Sequence, residues 1–405
     1  MKKFNKFLSV AVASAMVMAM AGCGNTDNGS AATGTNAATE SAAASDSAAS
    51  GSVFKIGGIG PTTGGAAVYG LAVQHGAEIA IEEINAAGGI NGYQVEFKFQ
   101  DDEADAEKSV NAYNALKDWG AQVLDGSTTS GACIAVTDKT KEDNMFQITP
   151  SGSAVECVQY DNNFRVCFSD PNQGLASAQY IGENGLAEKI AVIYDSSDVY
   201  SSGIYEKFVK EAENQPFEVV AAEAFTADNK TDFSVQLQKA KDAGADMVFL
   251  PIYYQESALI LTQAAAMGYA PKWFSCDGMD GILGGVDNFD VSLTEGVMLL
   301  TPFAADATDD LTQSFVTKYK EKYGETPNQF AADSYDAIYV IKAAIEKSGV
   351  TPDMSVSDIC DGMKAAMTEI TVDGLTGNGM TWTADGEANK APKAVVIENG
   401  AYKAM

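Results

Sequence analysis

The sequence predicts an α/β fold in which parallel sheets are flanked by helices and two lobes face each other across a ligand cleft. Strand-like and helix-like segments alternate along the chain, which is typical of parallel sheets with helical connections. About 350 residues follow the N-terminal segment, more than one compact core usually contains, so two lobes are expected. No later segment is long and apolar enough to cross a bilayer.

The spacing of apolar residues predicts the individual elements. Over residues 69–85 they recur at i, i+4 and i+7, which predicts a helix, and Gly88-Gly89 ends it because glycine adopts the left-handed conformation freely. Strands are predicted at residues 54–59, 94–99, 122–124, 189–194, 217–220 and 246–250. Further helices are predicted at residues 104–119, 201–212, 232–243 and 256–267, and another near Ala132. In such folds the loops after the strands form the candidate site.

The N-terminal segment has the features of an export signal. Three lysines precede an apolar stretch at residues 7–21, and about 15 residues are too few to span a ~30 Å hydrocarbon core. Small residues lead directly into Cys23, so residues 1–22 resemble a bacterial lipoprotein signal peptide that leaves Cys23 as the lipid-bearing N-terminus. Met20 departs from this pattern, which usually has leucine there. The alternative is an ordinary secretory signal followed by a chance cysteine.

The next segment, residues 23–52, predicts a flexible tether. Beyond Cys23 it consists almost wholly of Gly, Ser, Ala, Thr and Asn, without an aromatic or branched apolar residue. Such a segment buries too little surface to offset the entropy of ordering it. The folded part therefore begins near Val53, and a lipid on Cys23 would hold it at the cell membrane.

Charge, histidine and cysteine content exclude several classes of protein. The formal charge of −29 becomes −32 without residues 1–22, because that segment has three lysines and no acidic residue. Such a body repels nucleic acid and anionic lipid. The single histidine, His75, excludes a His-rich zinc site. Five cysteines follow Cys23, an odd number. Among them Cys157 and Cys167 flank a turn-rich segment, and a disulfide and two buried thiols are both consistent with that spacing.

An ordered set of motifs then identifies a resemblance. The segment INAAGGING at residues 84–92 is similar to the helix end and turn of type I periplasmic binding proteins of the leucine/isoleucine/valine-binding group. Further similar motifs follow in the family's order at residues 61–64, 69–70, 101–102, 126–130, 148–151, 195–200, 232–234 and 335–337. Residues 374–385 resemble the family's closing hairpin, and the resemblance covers essentially all of residues 53–405.

The resemblance implies a clamp of two Rossmann-like lobes, joined by three crossovers, that delivers a solute to the permease subunits of an ABC importer. It places residues 53–171 plus 301–380 in the N-terminal lobe and 172–300 plus 381–405 in the C-terminal lobe. It implies an extracytoplasmic location and no cofactor. A ligand-sensing domain that signals to a membrane partner, for an amino acid or an amide, is the alternative function, because the same clamp serves both.

Five candidate site residues lie in two loops that would bind the polar end of an amino acid. Thr129 and Ser130 belong to the hydroxyl loop that takes the α-carboxylate in relatives, and a helix N-terminus there favours an anion. In the next loop, which also contains Gly152, the resemblance gives Ser151 a carbonyl for the ammonium and Ser153 a hydroxyl and amide for the carboxylate. Short polar residues at such places also simply cap helices, which is the alternative for Ser153.

The second lobe supplies the carboxylate for the ligand's ammonium. Asp277 falls where relatives usually have glutamate, and Asp280 is a competing candidate three residues on. Tyr200 matches a tyrosine that closes over the polar head of the ligand. The alternative for Tyr200 is an aromatic residue on the rim of the cleft at a helix start.

Aromatic residues predict an apolar side-chain pocket. By the resemblance Tyr69, Tyr253 and Phe330 line it, with Tyr254 as an alternative to Tyr253. They favour a branched-chain aliphatic amino acid, leucine, isoleucine or valine. Thr129, where relatives carry cysteine, and the aspartate at position 277 leave a different amino acid or an amide open. No charged residue is expected to meet an acidic or basic side chain.

Enzymatic interpretations fit poorly. The carboxylates at residues 101–105 lack the spacing of a calcium loop and favour the positive end of a following helix. The segment at residues 126–131 is not a Gly-x-Ser-x-Gly elbow, and His75 lies within the first helix. The glycines at residues 57–60 have neither Walker nor dinucleotide spacing. No catalysis, metal or cofactor is therefore expected.

Overall fold

The computed structural model describes residues 51–405, and its first sheet is wholly parallel. Five strands pair in the order β2-β1-β3-β4-β5, with every pair parallel. They are β1 Phe54–Gly60, β2 Val95–Asp101, β3 Val123–Asp125, β4 Phe146–Thr149 and β5 Asn163–Arg165.

The second sheet is parallel except at one edge. Seven strands pair in the order β12-β11-β10-β9-β8-β6-β7. They are β6 Lys189–Asp195, β7 Glu218–Phe225, β8 Met247–Leu250, β9 Lys272–Ser275, β10 Met298–Thr301, β11 Lys393–Glu398 and β12 Ala401–Ala404. The antiparallel pairs are β10 with β11 and β11 with β12. The predicted α/β fold with parallel sheets is confirmed.

Helices connect the strands and define two lobes. Within residues 51–405 they are α1 Ala67–Ala86, α2 Ala106–Trp119, α3 Ser130–Asp143, α4 Asp170–Glu183, α5 Val199–Ala212, α6 Ser234–Asp242, α7 Tyr254–Ala266, α8 Asp310–Tyr323, α9 Gln329–Ser348 and α10 Val356–Met367. The first lobe is the first sheet with α1–α3 and α8–α10, since α8 and α9 pack on α1 and α10 packs on α9 and β4. The second lobe is the second sheet with α4–α7. The chain passes between lobes after β5, after β10 and between α10 and β11.

Two glycines allow the helix pairs that carry site residues to approach closely. A Cβ on Gly76 in α1 would lie 2.0 Å from the carbonyl oxygen of Ala331 in α9. A Cβ on Gly174 in α4 would lie 2.4 Å from the carbonyl oxygen of Ile204 in α5. Only glycine fits such contacts, because no real Cβ approaches an oxygen so closely. These contacts fix α1 against α9, and α4 against α5.

The start of α2 differs from the sequence expectation, and the closing segment contains bridges rather than regular strands. Helix α2 begins at Ala106 rather than residue 104, because Glu103 and Ala104 have φ values of 50° and 58°, outside the helical region. The Asp105 carboxylate accepts from Lys108 N at 2.9 Å and caps the helix. Residues 374–385 form no regular strand. Only two isolated antiparallel bridges, Val372 with Met380 and Trp382 with Ala388, occur there.

Several predictions concern cysteines and the N-terminal segment. Cys157 and Cys167 are two buried thiols and form no disulfide, as is true of all five cysteines in residues 51–405. None of the helices in that range has the length and apolar content needed to span a bilayer. The predicted signal peptide at residues 1–22, the predicted lipidation site Cys23 and nearly all of the predicted tether lie outside the described residues. The residue boundaries of the lobes remain predictions.

Candidate ligand-binding site

A small cavity lies where loops from the carboxyl ends of four strands meet between the lobes. Eight of the predicted residues line it, together with Thr128 and Gly278, which the sequence analysis missed. The eight are Tyr69, Thr129, Ser130, Ser151, Tyr200, Tyr253, Asp277 and Phe330. The loops follow β3, β4, β8 and β9, so the strand ends build the site, as expected for parallel sheets. Its volume is about 10 Å³, room for roughly one water molecule.

On the first-lobe side of the small cavity, which we call the first-lobe wall, Ser130 supplies a hydrogen-bond donor. Its Oγ accepts from the backbone N–H groups of Ser153 and Ala154, each at 3.1 Å. Because these bonds use the oxygen's two lone pairs, the hydroxyl hydrogen is left to donate, either to Ser153 Oγ at 3.4 Å or to a ligand in the cleft. Ser130 is also the first residue of α3, whose N-terminal amides favour an anion.

Gly152 and Ser153 lie behind this wall rather than in it. Neither lines the small cavity. Gly152 N donates to Thr149 Oγ1 at 2.7 Å, and Ser153 Oγ lies 3.4 Å from Ser130 Oγ. Ser151 does line the cavity, and its hydroxyl donates to the carbonyl of Thr128 at 2.6 Å. A ligand contact by Gly152 or Ser153 therefore remains a prediction. In the structure these loop residues support Ser130 and the loop after β3.

Asp277 faces the cavity from the second lobe with both carboxylate oxygens held. Tyr200 OH donates to Oδ1 at 2.7 Å, and Gln173 Nε2 donates to Oδ2 at 2.8 Å. Burial raises the pKa of Asp277 to about 6, while the bonds from Tyr200 and Gln173 oppose that rise. A carboxylate with one donor on each oxygen keeps acceptor capacity for a cation in the cleft.

Asp280, the competing candidate, has a different environment. It does not line the small cavity, and its Oδ2 accepts from the backbone N of Gln329 at the start of α9, at 2.9 Å. The side chain of Gln329 in turn donates to the carbonyl of Asp277 at 3.0 Å. Asp280 and Gln329 therefore join the two lobes beside the site.

Tyr200 is buried beneath the cavity, and its exposure is only 3%. The tyrosine hydroxyl also accepts from Gly278 N at 2.9 Å, which orders the backbone just after Asp277. Tyr200 is therefore no rim aromatic, and its position in the first turn of α5 brings it to Asp277. Gly174 contributes to this geometry, because the close packing of α4 on α5 places Gln173 and Tyr200 on the same carboxylate.

Three aromatic rings form the apolar wall. The ring centroids of Tyr69 and Phe330 are 4.4 Å apart, and those of Tyr69 and Tyr253 are 5.4 Å apart. Tyr69 OH donates to the Gly278 carbonyl and accepts from Tyr254 N at 3.2 Å, so a first-lobe side chain bonds second-lobe backbone. Tyr253 lines the cavity, whereas its neighbour Tyr254 does not.

A larger cavity adjoins the small one and shares Thr129 and Tyr253 with it. We call it the outer chamber; its volume is about 620 Å³. Its charged lining residues are Glu103, Asp195, Asp198, Lys230 and Glu256. Lys230 pairs with Glu256 at 2.9 Å. The small cavity has no charged lining residue besides Asp277, but charged groups begin at its outer edge. Thr129 Oγ1 is buried with no hydrogen-bond partner among the described residues.

The sequence analysis missed residues that hold the site residues in place. Gln173 and Gln329 carry no motif, and only the packing of α4 and α9 brings them to Asp277. Arg165 was missed although a signal exists, because it is the only arginine in the sequence. The acids at residues 101–105 shape the start of α2, and no group of three or more potential metal ligands occurs within residues 51–405.

The comparison with known proteins identifies the class to which this fold and cleft belong. The model of the periplasmic binding protein family matches residues 53–401, so the chain belongs to that family. The family consists of extracytoplasmic solute-binding proteins rather than enzymes. This membership confirms the resemblance found in the sequence motifs.

Particular relatives are amino acid-binding proteins. Over 302 residues the chain is 31% identical to the leucine-, isoleucine-, valine-, threonine-, and alanine-binding protein of Pseudomonas aeruginosa. The match covers 73% of this chain and 78% of that protein. The branched-chain amino acid transporter substrate binding protein LivJ from Streptococcus pneumoniae, in complex with isoleucine, is similar with a TM-score of 0.78 and 28% identity, covering 87% of this chain and 99% of that one. A leucine binding protein LivK from Thermotoga maritima matches with a TM-score of 0.77 and 27% identity, covering 87% and 98%.

Proposed function

We propose that this protein captures a free amino acid between its lobes and delivers it to the permease subunits of an ABC importer. The observation that carries the proposal is one cavity with opposite chemistry on its two walls. Ser130 offers a hydroxyl donor at a helix N-terminus, and Asp277 offers a carboxylate across the cleft. An α-carboxylate and an α-ammonium are the complement of these groups.

We further propose a branched-chain aliphatic side chain, leucine, isoleucine or valine. Tyr69, Tyr253 and Phe330 give the cavity an aromatic wall, and burying an aliphatic side chain there contributes about 1.5–3 kcal/mol. The names of the relatives from Pseudomonas, Streptococcus and Thermotoga support the same ligand class. In this proposal the ordered polar groups serve binding, and no residue performs catalysis.

Separation of the lobes is part of the proposal. A cavity of about 10 Å³ does not admit an amino acid, and the first-lobe hydroxyl of Tyr69 bonds second-lobe backbone across it. The ligand must therefore enter when the lobes part, and closure then brings Asp277 to the ammonium.

A thermal-shift screen tests the proposal. We expect leucine, isoleucine or valine to raise the melting temperature of the purified chain most among the common amino acids. A ligand at 100 times its dissociation constant stabilises the folded state by about 2.7 kcal/mol. No stabilisation by any amino acid would refute the proposed function, and stabilisation by another class alone would refute the branched-chain assignment.

We also propose that Cys23 carries a lipid that holds the protein on the outer side of the cell membrane. The sequence before Cys23 supports this, because its apolar stretch ends in small residues. Each buried CH₂ of an acyl chain contributes ~0.8 kcal/mol of membrane affinity. Cys23→Ser should move the protein from the membrane fraction to the soluble fraction. Equal partitioning of the variant and the natural chain would contradict a lipid anchor.

A further inference from the structure

Arg165 is the one place where this protein uses a guanidinium. The sequence contains 26 lysines and arginines, and only position 165 is arginine. The side chain is fully buried, with 0% exposure, at the end of β5 where the chain first leaves the first lobe. Lysine and arginine differ in that arginine presents several donors in a rigid planar fork. A chain that otherwise relies on lysine has placed its single fork directly behind the candidate site.

The guanidinium binds backbone carbonyls rather than a carboxylate pair. Nη1 donates to the carbonyls of Ser153 at 2.5 Å and Gly152 at 3.3 Å. Nη2 donates to the carbonyls of Ala154 at 2.9 Å and Val155 at 3.4 Å. Four consecutive carbonyls of the loop after β4 therefore converge on one side chain. We call residues 152–155 the carbonyl loop.

This convergence determines where the amides of the carbonyl loop point. With its carbonyls turned toward Arg165, the loop directs the N–H groups of Ser153 and Ala154 to Ser130 Oγ. Those two bonds leave the Ser130 hydrogen to donate, and a ligand carboxylate in the cleft can accept it in place of Ser153 Oγ, which lies 3.4 Å away. The hydrogen-bond donor on the first-lobe wall therefore depends on Arg165, which contacts the carbonyl loop rather than the cleft.

Several acidic and titratable groups surround Arg165. Glu387 Oε2 lies 3.4 Å from Arg165 Nε, and the Glu387 side chain is 34% exposed to water. Asp170 also lies behind the loop, with its N donating to the Ser153 carbonyl at 2.9 Å, but burial raises the pKa of its carboxyl well above the usual value. Cys157 and Cys167 are buried thiols whose pKa values burial also raises.

Arg165 is also hydrogen-bonded to the third of the segments that connect the two lobes. Its backbone N donates to the Gly386 carbonyl at 3.0 Å, and Trp382 Nε1 donates to its carbonyl at 2.8 Å. The residue that orients the carbonyl loop is therefore fixed to the segment that joins α10 to β11.

We propose that Arg165 is a positioning residue that makes the Ser130 wall a donor, so that the cleft requires an anionic carboxylate in its ligand. This inference rests on the proposed function of the same site and deepens it by assigning the ligand's free carboxylate to a named support. A lysine, with one nitrogen in place of a fork, would not hold four carbonyls at once.

Arg165→Lys in the full chain is the principal test, because it keeps the positive charge and removes the fork. Calorimetry with L-leucine and with its carboxamide, L-leucinamide, separates carboxylate recognition from the rest of binding. We expect leucine affinity to fall at least tenfold and leucinamide affinity to change less than threefold. Hydrogen exchange at residues 151–158 should rise, while exchange in the first sheet stays unchanged.

Glu387→Gln is the matched control, because it removes the ion-pair partner and leaves all four carbonyl contacts in place. It should keep leucine affinity and the exchange of residues 151–158 within threefold of the natural chain. Leucine affinity within threefold in Arg165→Lys would overturn the proposal. An equal loss for leucine and leucinamide with unchanged exchange at residues 151–158 would also overturn it, since that pattern indicates a general structural role.

The natural chain supplies a measurement that depends on no variant. The amides of Ser153 and Ala154 should be protected from exchange without ligand, since both donate to Ser130. Unprotected amides there would refute the proposal even if Arg165→Lys fails to fold. If the natural chain binds no amino acid, the proposed function fails, whereas the exchange measurements still decide whether Arg165 positions the loop.

Discussion

The first-lobe wall of the small cavity carries no charged side chain, whereas the second-lobe wall carries the buried carboxylate of Asp277. Ser130 acquires its donor character from backbone amides that point at its oxygen. Asp277 needs no such arrangement, because its charge belongs to the residue itself. Tyr200 and Gln173 only orient it and offset part of the cost of burying it.

The difference shows two ways of recognising a charged group without exposing it to water. A single carboxylate concentrates its effect in one residue, so losing that residue should remove most of the interaction. A donor wall distributes its effect over a loop, a helix start and a buried cation. Single changes there should cost less unless they alter the direction of the whole loop. The following predictions test this asymmetry.

The largest effect is expected from Asp277→Asn. A cation that loses its buried partner costs about 2–5 kcal/mol, so leucine affinity should fall at least about thirtyfold by calorimetry. The apo chain should keep its fold, because Asn retains an oxygen that can accept from Tyr200. Asp280→Asn is the matched control, since that carboxyl is also buried but faces α9. Unchanged affinity in Asp277→Asn would assign the ammonium to another group.

A smaller loss is expected from Ser130→Ala. The change removes a donor to the ligand and leaves the amides of Ser153 and Ala154 without their acceptor, at about 1–3 kcal/mol. Leucine affinity should therefore fall roughly tenfold, and the melting temperature should also fall. Ser257→Ala is a suitable control, because that buried hydroxyl has no hydrogen-bond partner within residues 51–405. A loss as large as that of Asp277→Asn would contradict the asymmetry between the walls.

A pH titration should affect one wall only. The pKa of Asp277 is raised from 3.8 to about 6, so protonation stabilises the apo fold: this contribution is complete below about 3.8 and is lost as pH rises through 6. Ligand binding needs the ionised carboxylate, so affinity should fall about tenfold between pH 7.5 and pH 5. Calorimetry across this range checks the drop, which Asp277→Asn should abolish. A drop of equal size in the variant would place the titration elsewhere, Asp198 and Asp280 having pKa values near 6 as well.

The smallest effect on stability and ligand preference is expected from Thr129→Val, at the edge of the first-lobe wall. Thr129 Oγ1 is buried without a partner in the described part of the chain, so Thr129→Val should raise the unfolding free energy by about 1 kcal/mol. Preference for leucine over threonine should rise roughly threefold, since the wall becomes less polar. Thr128→Val is the matched control with opposite sign, because its hydroxyl donates to the Ile59 carbonyl at 3.1 Å. Chemical denaturation measures both changes, and destabilisation by Thr129→Val would show that its hydroxyl is bonded.

The local elements were largely predictable, with errors at their ends. The strand at residues 189–194 and the helix at residues 69–85 follow from their apolar patterns, because the strand buries the consecutive residues 190–193 and the helix buries one face. The start of α2 was wrong because positive φ values at Glu103 and Ala104 delay the helix, and no periodic pattern encodes them. The closing segment at residues 374–385 turns back through isolated antiparallel bridges rather than regular strands, which its sequence pattern did not specify.

By itself the sequence determined the α/β class, the loops that form the cleft and the charge-bearing candidate Asp277, because these depend on periodicity and residue chemistry near one another along the chain. Tertiary structure alone decided which distant groups complete the site. Gln173 reaches Asp277 across 104 positions, and the Tyr69 hydroxyl reaches Gly278 across 209. Gly76 and Gly174 allow the helices that carry Tyr69 and Gln173 to pack closely against α9 and α5. Contacts of this kind depend on packing in three dimensions, which local patterns do not specify.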